Sequence, residues 1–114
     1  MDGEELTARS IEQARRHANQ QWMLEVERVI RDVSIFAETF TTDEVWHELR
    51  TRAANREHYP QTHEPRAMGS VMRILHQRGV IEPTGVYRRS ARPEAHCGPK
   101  REWRRADTVR VRVA

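Results

Sequence analysis

The sequence has a single cysteine, Cys97, and no apolar stretch near the length of a membrane span. One cysteine cannot form an internal disulfide, and a chain without disulfides suits a reducing cytosol. The N-terminus, Met1-Asp2-Gly3-Glu4-Glu5, is acidic where a secretory signal peptide is basic. We therefore expect a cytoplasmic protein that is neither exported nor inserted into a membrane.

The motifs of common catalytic sites are missing as well. Most acidic residues fall within positions 2–64, so they are separated in sequence from the basic region. No D-x-D pair, H-N-H motif or glycine-rich phosphate loop occurs. The adjacent His96 and Cys97 point apart on a strand or turn, which leaves the thiol without an oriented base. We expect a protein that is not an enzyme and that holds no cofactor.

Four residues offer the elements of a zinc site. They are His58 and His63, spaced H-x4-H, together with His96 and Cys97. Structural zinc sites usually contain a C-x-x-C or a second close pair of ligands, which this sequence lacks. Surface histidines on loops are the favoured interpretation, so no metal site is expected.

The charge is distributed unevenly along a chain whose 114 residues suffice for one domain. Residues 1–65 hold eight Lys and Arg against 13 Asp and Glu, whereas residues 66–114 hold 12 against four. This asymmetry places a positive field at one end of the fold, where it attracts phosphate. Of the 20 basic residues 19 are Arg, the side chain that contacts phosphate and guanine bidentately.

The stretch 65–78 predicts a helix that contacts DNA. Pro65 suits a first helical turn, and Gly79 suits the left-handed residue that ends a helix. Five apolar residues recur at helical spacing and form one stripe: Ala67, Met68, Val71, Met72 and Leu75. The opposite face carries Arg66, Ser70, Arg73 and Gln77. These side chains suit bases and phosphates in the major groove; an amphipathic helix with a solvated basic face is the alternative.

A long helix is predicted at the N-terminus. From Leu6 to Val33 no glycine or proline interrupts the apolar spacing, which predicts one amphipathic helix or two in tandem. Only the part from Trp22 onward is apolar enough to bury a wide face. We expect Trp22 to anchor the core rather than an interface.

The N-terminal helix also carries a narrow apolar seam with charges beside it, formed by Ile11, Ala14, Ala18 and Trp22. Such a seam is typical of helices that pair, so it predicts a homodimer. The alternative is that the seam packs on the core of its own chain.

A helix-start motif follows at residues 40–45. Thr41 and Glu44 form a capping box, and Phe40 with Val45 forms the matching hydrophobic staple. These residues predict a helix that continues to about Arg52. The polar stretch 53–64 is expected to connect it to the helix over 65–78, with Tyr59 tucked beneath the connector.

Residues 80–105 predict a basic β-hairpin. Val80 and Ile81 begin a strand, residues 82–85 form a turn by composition, and residues 86–90 form a strand. A loop over 92–100 precedes the returning strand over 101–105. The basic residues expected to contact phosphate are Arg88, Arg89, Arg92, Lys100 and Arg101. A solvated hairpin is the alternative. Beyond the hairpin, apolar and basic residues alternate over 109–113, which predicts a half-buried strand or a loose tail.

This order of elements resembles the small winged helix-turn-helix DNA-binding proteins of tailed phages and prophages. The resemblance covers about residues 36–105 and is carried by Phe40-Thr41-Thr42-Asp43-Glu44-Val45-Trp46, by Pro65 with Met68-Gly69, by Arg78-Gly79-Val80-Ile81, and by the pair His96 and Trp103. It implies a mainly α fold with a small antiparallel β-hairpin. Residues 36–114 are then the winged helix-turn-helix domain. Residues 1–35 lie outside the resemblance and are expected to form an N-terminal amphipathic helix, a candidate element for oligomerisation or docking.

The predicted function is sequence-specific binding of double-stranded DNA, as a phage or prophage transcriptional regulator or a DNA-architectural accessory factor. The helix over 65–78 would enter the major groove, and the basic hairpin over 86–105 would contact the backbone or the adjacent minor groove. The protein would then associate with the nucleoid, in the host cytoplasm if phage-encoded. The alternative is a winged-helix module that docks proteins in replication or helicase-loading assemblies without contacting bases specifically.

Overall fold

The computed structural model describes residues 3–61, 65–91 and 98–106. These residues form three helices followed by two antiparallel strands: α1 (Gly3–Phe36), α2 (Thr42–Ala54), α3 (Ala67–Gln77), β1 (Ile81–Arg89) and β2 (Pro99–Arg105). The predicted mainly helical fold with a small antiparallel hairpin is therefore confirmed. Within the described part of the chain, none of the helices has the length and apolar content needed to cross a bilayer.

The N-terminal helix α1 is one unbroken helix of 34 residues. Its second half supplies one side of the core through five buried residues: Trp22, Val26, Val29, Ile30 and Val33. The prediction that packing begins near Trp22 is confirmed, and Trp22 lies in the core as expected, with its ring centroid 5.8 Å from that of Trp46. At a rise of about 1.5 Å per residue, the part before Trp22 extends roughly 28 Å.

The start of α2 has the predicted capping box. The Thr41 hydroxyl accepts a hydrogen bond from the Asp43 N–H at 3.1 Å, and the Glu44 carboxylate accepts one from the Thr41 N–H at 2.9 Å. Phe40 and Val45 are both fully buried in the core, as the hydrophobic staple predicts. The helix ends two residues later than expected, at Ala54.

Helix α3 presents its predicted apolar stripe to the core. Met68, Val71, Met72 and Leu75 are buried and Ala67 is half-buried. Pro65 and Arg66 form a turn ahead of the helix rather than its first residues. Gly79 follows the helix with a φ of 74°, the left-handed conformation expected of it.

The turn predicted over residues 82–85 is wrong, because these residues lie inside β1. Pro83 pairs with Trp103 and Tyr87 pairs with Arg101, so four steps along β1 oppose two along β2 and the strand bulges. Gly85 supports the bulge with a φ of 87°. The Thr84 hydroxyl holds it by donating to the Glu102 carboxylate at 2.8 Å. Turn-forming residues thus produce a bulge in this strand.

Two further features complete the sheet. Pro99 and Lys100, predicted in a loop, belong to β2. Phe40 forms an isolated antiparallel bridge with Trp103, in which the N–H of each residue donates to the carbonyl of the other at 2.9 and 2.7 Å. β2 therefore lies between Phe40 and β1, and the segment before α2 is tied to the hairpin.

Tyr59 fastens the connector between α2 and α3 to the core. It is half-buried, and its hydroxyl donates to Glu25 Oε1 at 2.8 Å. Burial and this hydrogen bond raise the pKa of Tyr59 above its usual value. The buried Glu25 thereby gains a partner, as a buried carboxylate requires. The predicted position of Tyr59 beneath the connector is consistent with these contacts.

Candidate nucleic-acid interface

An open groove of about 780 Å³ lies between the start of α2, helix α3 and strand β2. Its apolar lining consists of Trp46, Pro65, Met68, Gly69, Met72 and Trp103. Its basic lining, which we call the groove cations, consists of Arg66, Arg73, Lys100 and Arg101. Thr42 and His76 complete the lining, so the described residues around the groove include no acid.

The groove cations have no carboxylate partner in the described part of the chain. No hydrogen bond or ion pair there involves the side chains of Arg66, Arg73 or Lys100. Arg101 makes contacts with aromatic groups instead. Its guanidinium carbon lies 6.0 Å from the Tyr87 ring centroid and 5.6 Å from that of Trp103, and it donates to the Tyr87 hydroxyl at 3.4 Å. These contacts hold the guanidinium beside the aromatic rings of the hairpin, and no acid among the described residues neutralises its charge.

Many arginines elsewhere in the described part of the chain are paired with acids. Seven of them have a carboxylate oxygen within 3.4 Å: Arg16, Arg28, Arg31, Arg52, Arg78, Arg88 and Arg104. Exposed pairs of this kind add little stability, but they cancel local charge. The charge of the groove cations is not cancelled in this way, so they contribute a positive field at the groove.

The polar face predicted on α3 is exposed throughout, at Arg66, Ser70, Arg73 and Gln77. Arg66 and Arg73 line the groove, whereas Ser70 and Gln77 are not among its lining residues. Among the described residues, the large hydrophobic side chains that are strongly exposed lie on α1 and β1, and none lies on α3. This face therefore presents hydrogen-bonding groups and, in the part of α3 that is described, no large and strongly exposed hydrophobic side chain.

The predicted hairpin residues are distributed differently. Lys100 and Arg101 line the groove and Arg89 is exposed, whereas Arg92 lies outside the described residues. Arg88 donates to Glu44 Oε1 at 2.8 Å, and its Nε lies 3.0 Å from Glu102 Oε2. Its guanidinium is thus held between α2 and β2. Its phosphate contact stays a prediction.

Acids at the start of α2 also fix the hairpin. The Ser90 hydroxyl donates to Asp43 at 2.8 Å and the Ala91 N–H donates to the same carboxylate at 3.0 Å. Burial alone raises the pKa of Glu44, but hydrogen bonds from Thr41 and Arg88 outweigh it and hold that pKa below its usual value. The capping box indicated the role of Glu44 at the start of α2. Nothing in the sequence indicated its contact with Arg88, or the contacts of Asp43 with the residues just after β1.

Trp103 contacts the ring of His76, a contact that was not predicted from the sequence. His96 was predicted to pair with Trp103 and lies outside the described residues, whereas the His76 ring of α3 meets Trp103 edge-on with centroids 5.4 Å apart. This contact joins α3 to β2 at the groove. His76 was not among the predicted site residues. Its spacing of three from Arg73 is a local signal that it lies near this face, but its partner on β2 could not be inferred locally.

The zinc alternative cannot be followed through the structure, because His63, His96 and Cys97 lie outside the described residues. Within the described ranges no group of three or more His, Cys, Asp or Glu side chains could hold a metal ion. His58 has a φ of 56° in the connector and is exposed.

The seam predicted for pairing is partly exposed. Ile11, Ala14 and Ala18 are exposed on α1, but Trp22 is buried in the chain's own core and cannot contribute to a seam between subunits.

No protein-family model, curated protein or solved structure matches the chain.

Proposed function

We propose that the protein binds double-stranded DNA sequence-specifically through α3 and the β-hairpin, as a transcriptional regulator or a DNA-architectural accessory factor. The observation that carries the proposal is the placement of the groove cations. These four basic residues have no carboxylate partner among the described residues, whereas seven arginines elsewhere are paired with acids. Unneutralised cations beside a polar helix face suit a polyanion that presents hydrogen-bonding bases.

The order of the elements supports a winged helix-turn-helix of the kind found in tailed phages and prophages. In this proposal α2 and α3 form the helix pair and the hairpin of β1 and β2 forms the wing. The Phe40 bridge to Trp103 joins the segment between α1 and α2 to the wing. Helix α3 enters the major groove, and the wing contacts the backbone or the adjacent minor groove.

Docking of a protein partner is the alternative function, and one observation favours a surface for it. A second groove of about 340 Å³ between α1 and α3 is lined mainly by apolar side chains, including Met23, Leu24 and Ile74. This surface is distinct from the groove cations. A protein that bound a partner there but did not retard duplex DNA at low salt would fit the docking function rather than DNA binding.

The proposal predicts different effects for two of the groove cations. Replacing Arg73 by Ala should cost about 1–3 kcal/mol at one base position and relax the preference there, because a bidentate contact to a base is lost. Replacing Lys100 by Ala should weaken all sequences about equally, because phosphate contacts position the protein without specifying bases. Gln77→Ala should behave as Arg73→Ala does.

Selection from a randomised duplex library measures both effects. Each variant would be compared with the wild type for the base preferences of the selected sites and for affinity to one unselected duplex. A uniform loss of affinity for Arg73→Ala, with unchanged base preferences, would contradict its contact with a base.

We also propose that two copies pair through the first half of α1. One short helix contacts few bases, and two half-sites separated by about 34–36 Å supply the missing discrimination. Ile11 is 56% exposed and lies with Ala14 and Ala18 on one side of the helix. These residues form the seam that remains after Trp22 is assigned to the core.

Sedimentation at tens of micromolar tests the pairing. The intact chain should sediment as a dimer, and Ile11→Glu should make it monomeric, because the charge would be buried in the seam. The matched control is Ile35→Glu, since Ile35 is similarly exposed at 61% but lies at the other end of α1. A wild-type chain that is monomeric under these conditions would rule out a stable dimer.

A further inference from the structure

Gly69 occupies a place in α3 where the fold does not require a glycine. A methyl group built there would meet no other atom within 4 Å. Its backbone is helical, and it is not among the described glycines with a positive φ. A glycine inside a helix is less favourable than an alanine, because glycine loses more backbone conformational freedom on folding. The absent side chain therefore has a cost that the fold itself does not explain.

The surroundings of Gly69 indicate what the absent side chain leaves room for. Gly69 is exposed and lines the groove of about 780 Å³. Arg66 and Arg73, three residues before and four after it, are its neighbours on the same helix face. Lys100 and Arg101 border the groove from β2. The missing side chain of Gly69 thus leaves a gap in the groove, which we call the passage, between the groove cations. These cations have no carboxylate partner among the described residues.

The chemistry of this passage suits a sugar–phosphate backbone. Phosphate oxygens match Arg66, Lys100 and Arg101, and the C–H faces of deoxyribose match the apolar lining around Met72 and Trp46. The groove lining contains no Asn, Gln, Asp or Glu, the residues that contact adenine and cytosine edges. A glycine is typical of positions where a ligand approaches a protein backbone closely.

We infer that the groove holds the sugar–phosphate backbone of one DNA strand, with Gly69 as the point of closest approach to α3. The inference rests on the proposed function, since it assigns a position to the same duplex. Arg66, Lys100 and Arg101 contact the phosphates of this strand. Arg73 and Gln77 reach base edges beyond it.

Substitutions of Gly69 give opposite effects on stability and on binding. Gly69→Ala should raise the melting temperature, because alanine favours the helix and meets no neighbour, and it should weaken DNA binding. Gly69→Leu should weaken binding further, by roughly tenfold or more, because its side chain fills the passage. The loss should be similar for all sequences, because the strand's backbone is what is displaced.

Fluorescence anisotropy with a random duplex at low salt, together with thermal unfolding of each variant, provides the test. Thr51→Leu is the control, since it adds a leucine at an exposed position of α2 that does not line the groove. It should bind as the wild type does. If Gly69→Leu does not fold, Gly69→Ala decides, because a variant more stable than the wild type cannot lose affinity through unfolding.

The outcomes distinguish the proposed DNA binding from the proposed path of one strand through the groove. A wild-type protein that does not bind duplex DNA at low salt would contradict the proposed function itself. A wild type that binds, with Gly69→Ala and Gly69→Leu binding equally tightly, would overturn only the path of the strand. Weaker binding by both glycine variants, with Thr51→Leu unchanged, supports it.

Discussion

Raising the salt concentration fourfold, from about 50 to about 200 mM, is expected to weaken duplex binding about 40-fold. Each phosphate neutralised by the protein releases condensed counterions, and the contacts of Arg66, Lys100 and Arg101 alone give a slope of roughly −2.7 in a double-logarithmic plot. Affinity measured by anisotropy across a salt series gives this slope directly. Binding that is absent even at low salt would contradict DNA binding.

Two triple variants distinguish the groove from bulk charge. Replacing Arg66, Lys100 and Arg101 by Gln should make the slope shallower by roughly 2.7, because each removed phosphate contact lowers it by about one. The control replaces Arg16, Arg28 and Arg31 of α1, which removes the same net charge from residues already paired with acids. The control should keep the slope. Equal changes in both variants would mean that overall charge, rather than the groove, governs binding.

The largest loss of stability is expected at Phe40. Replacing Phe40 by Ala should lower the free energy of unfolding by about 3–5 kcal/mol, because a fully buried ring is lost and the cavity collapses only partly. This is a large share of the roughly 5–15 kcal/mol by which a native domain is stable. Its side chain belongs to the core, and its backbone joins the start of α2 to Trp103.

Urea unfolding of two variants checks this value. Phe36→Ala is the matched control, because it makes the same substitution four residues earlier at a side chain that is 77% exposed. It should change the free energy of unfolding by no more than about 0.5 kcal/mol. Similar losses for the two variants would contradict the assignment of Phe40 to the centre of the core.

Local features of the fold could be predicted because their causes are local. The capping box of Thr41 and Glu44 involves residues three apart, and the left-handed Gly79 needs only its own backbone. The bulge in β1 could not be predicted in this way. Pro83, Thr84 and Gly85 favour a turn by composition, but pairing with β2, about 20 residues away, holds them in a strand.

The candidate site was predicted as separate side chains rather than as a groove. Helical spacing sufficed to place Ser70, Arg73 and Gln77 on one exposed face of α3, with Arg66 exposed in the turn just before it. Which cations have acid partners depends on tertiary contacts, such as that of Arg88 with Glu44, 44 residues apart. The contribution of Lys100 and Arg101 likewise depends on how β2 lies against α3.

The bulge in β1 has a consequence for how the protein behaves at high concentration. β2 lies between Phe40 and β1, so β1 is the outer strand of the described sheet, and its far edge has no strand partner there. Such an edge is a template on which a strand of another molecule can add. Pro83 offers no N–H to an incoming strand, and the bulge between Pro83 and Tyr87 breaks the straight ladder that pairing needs. The irregular edge therefore disfavours aggregation by strand addition.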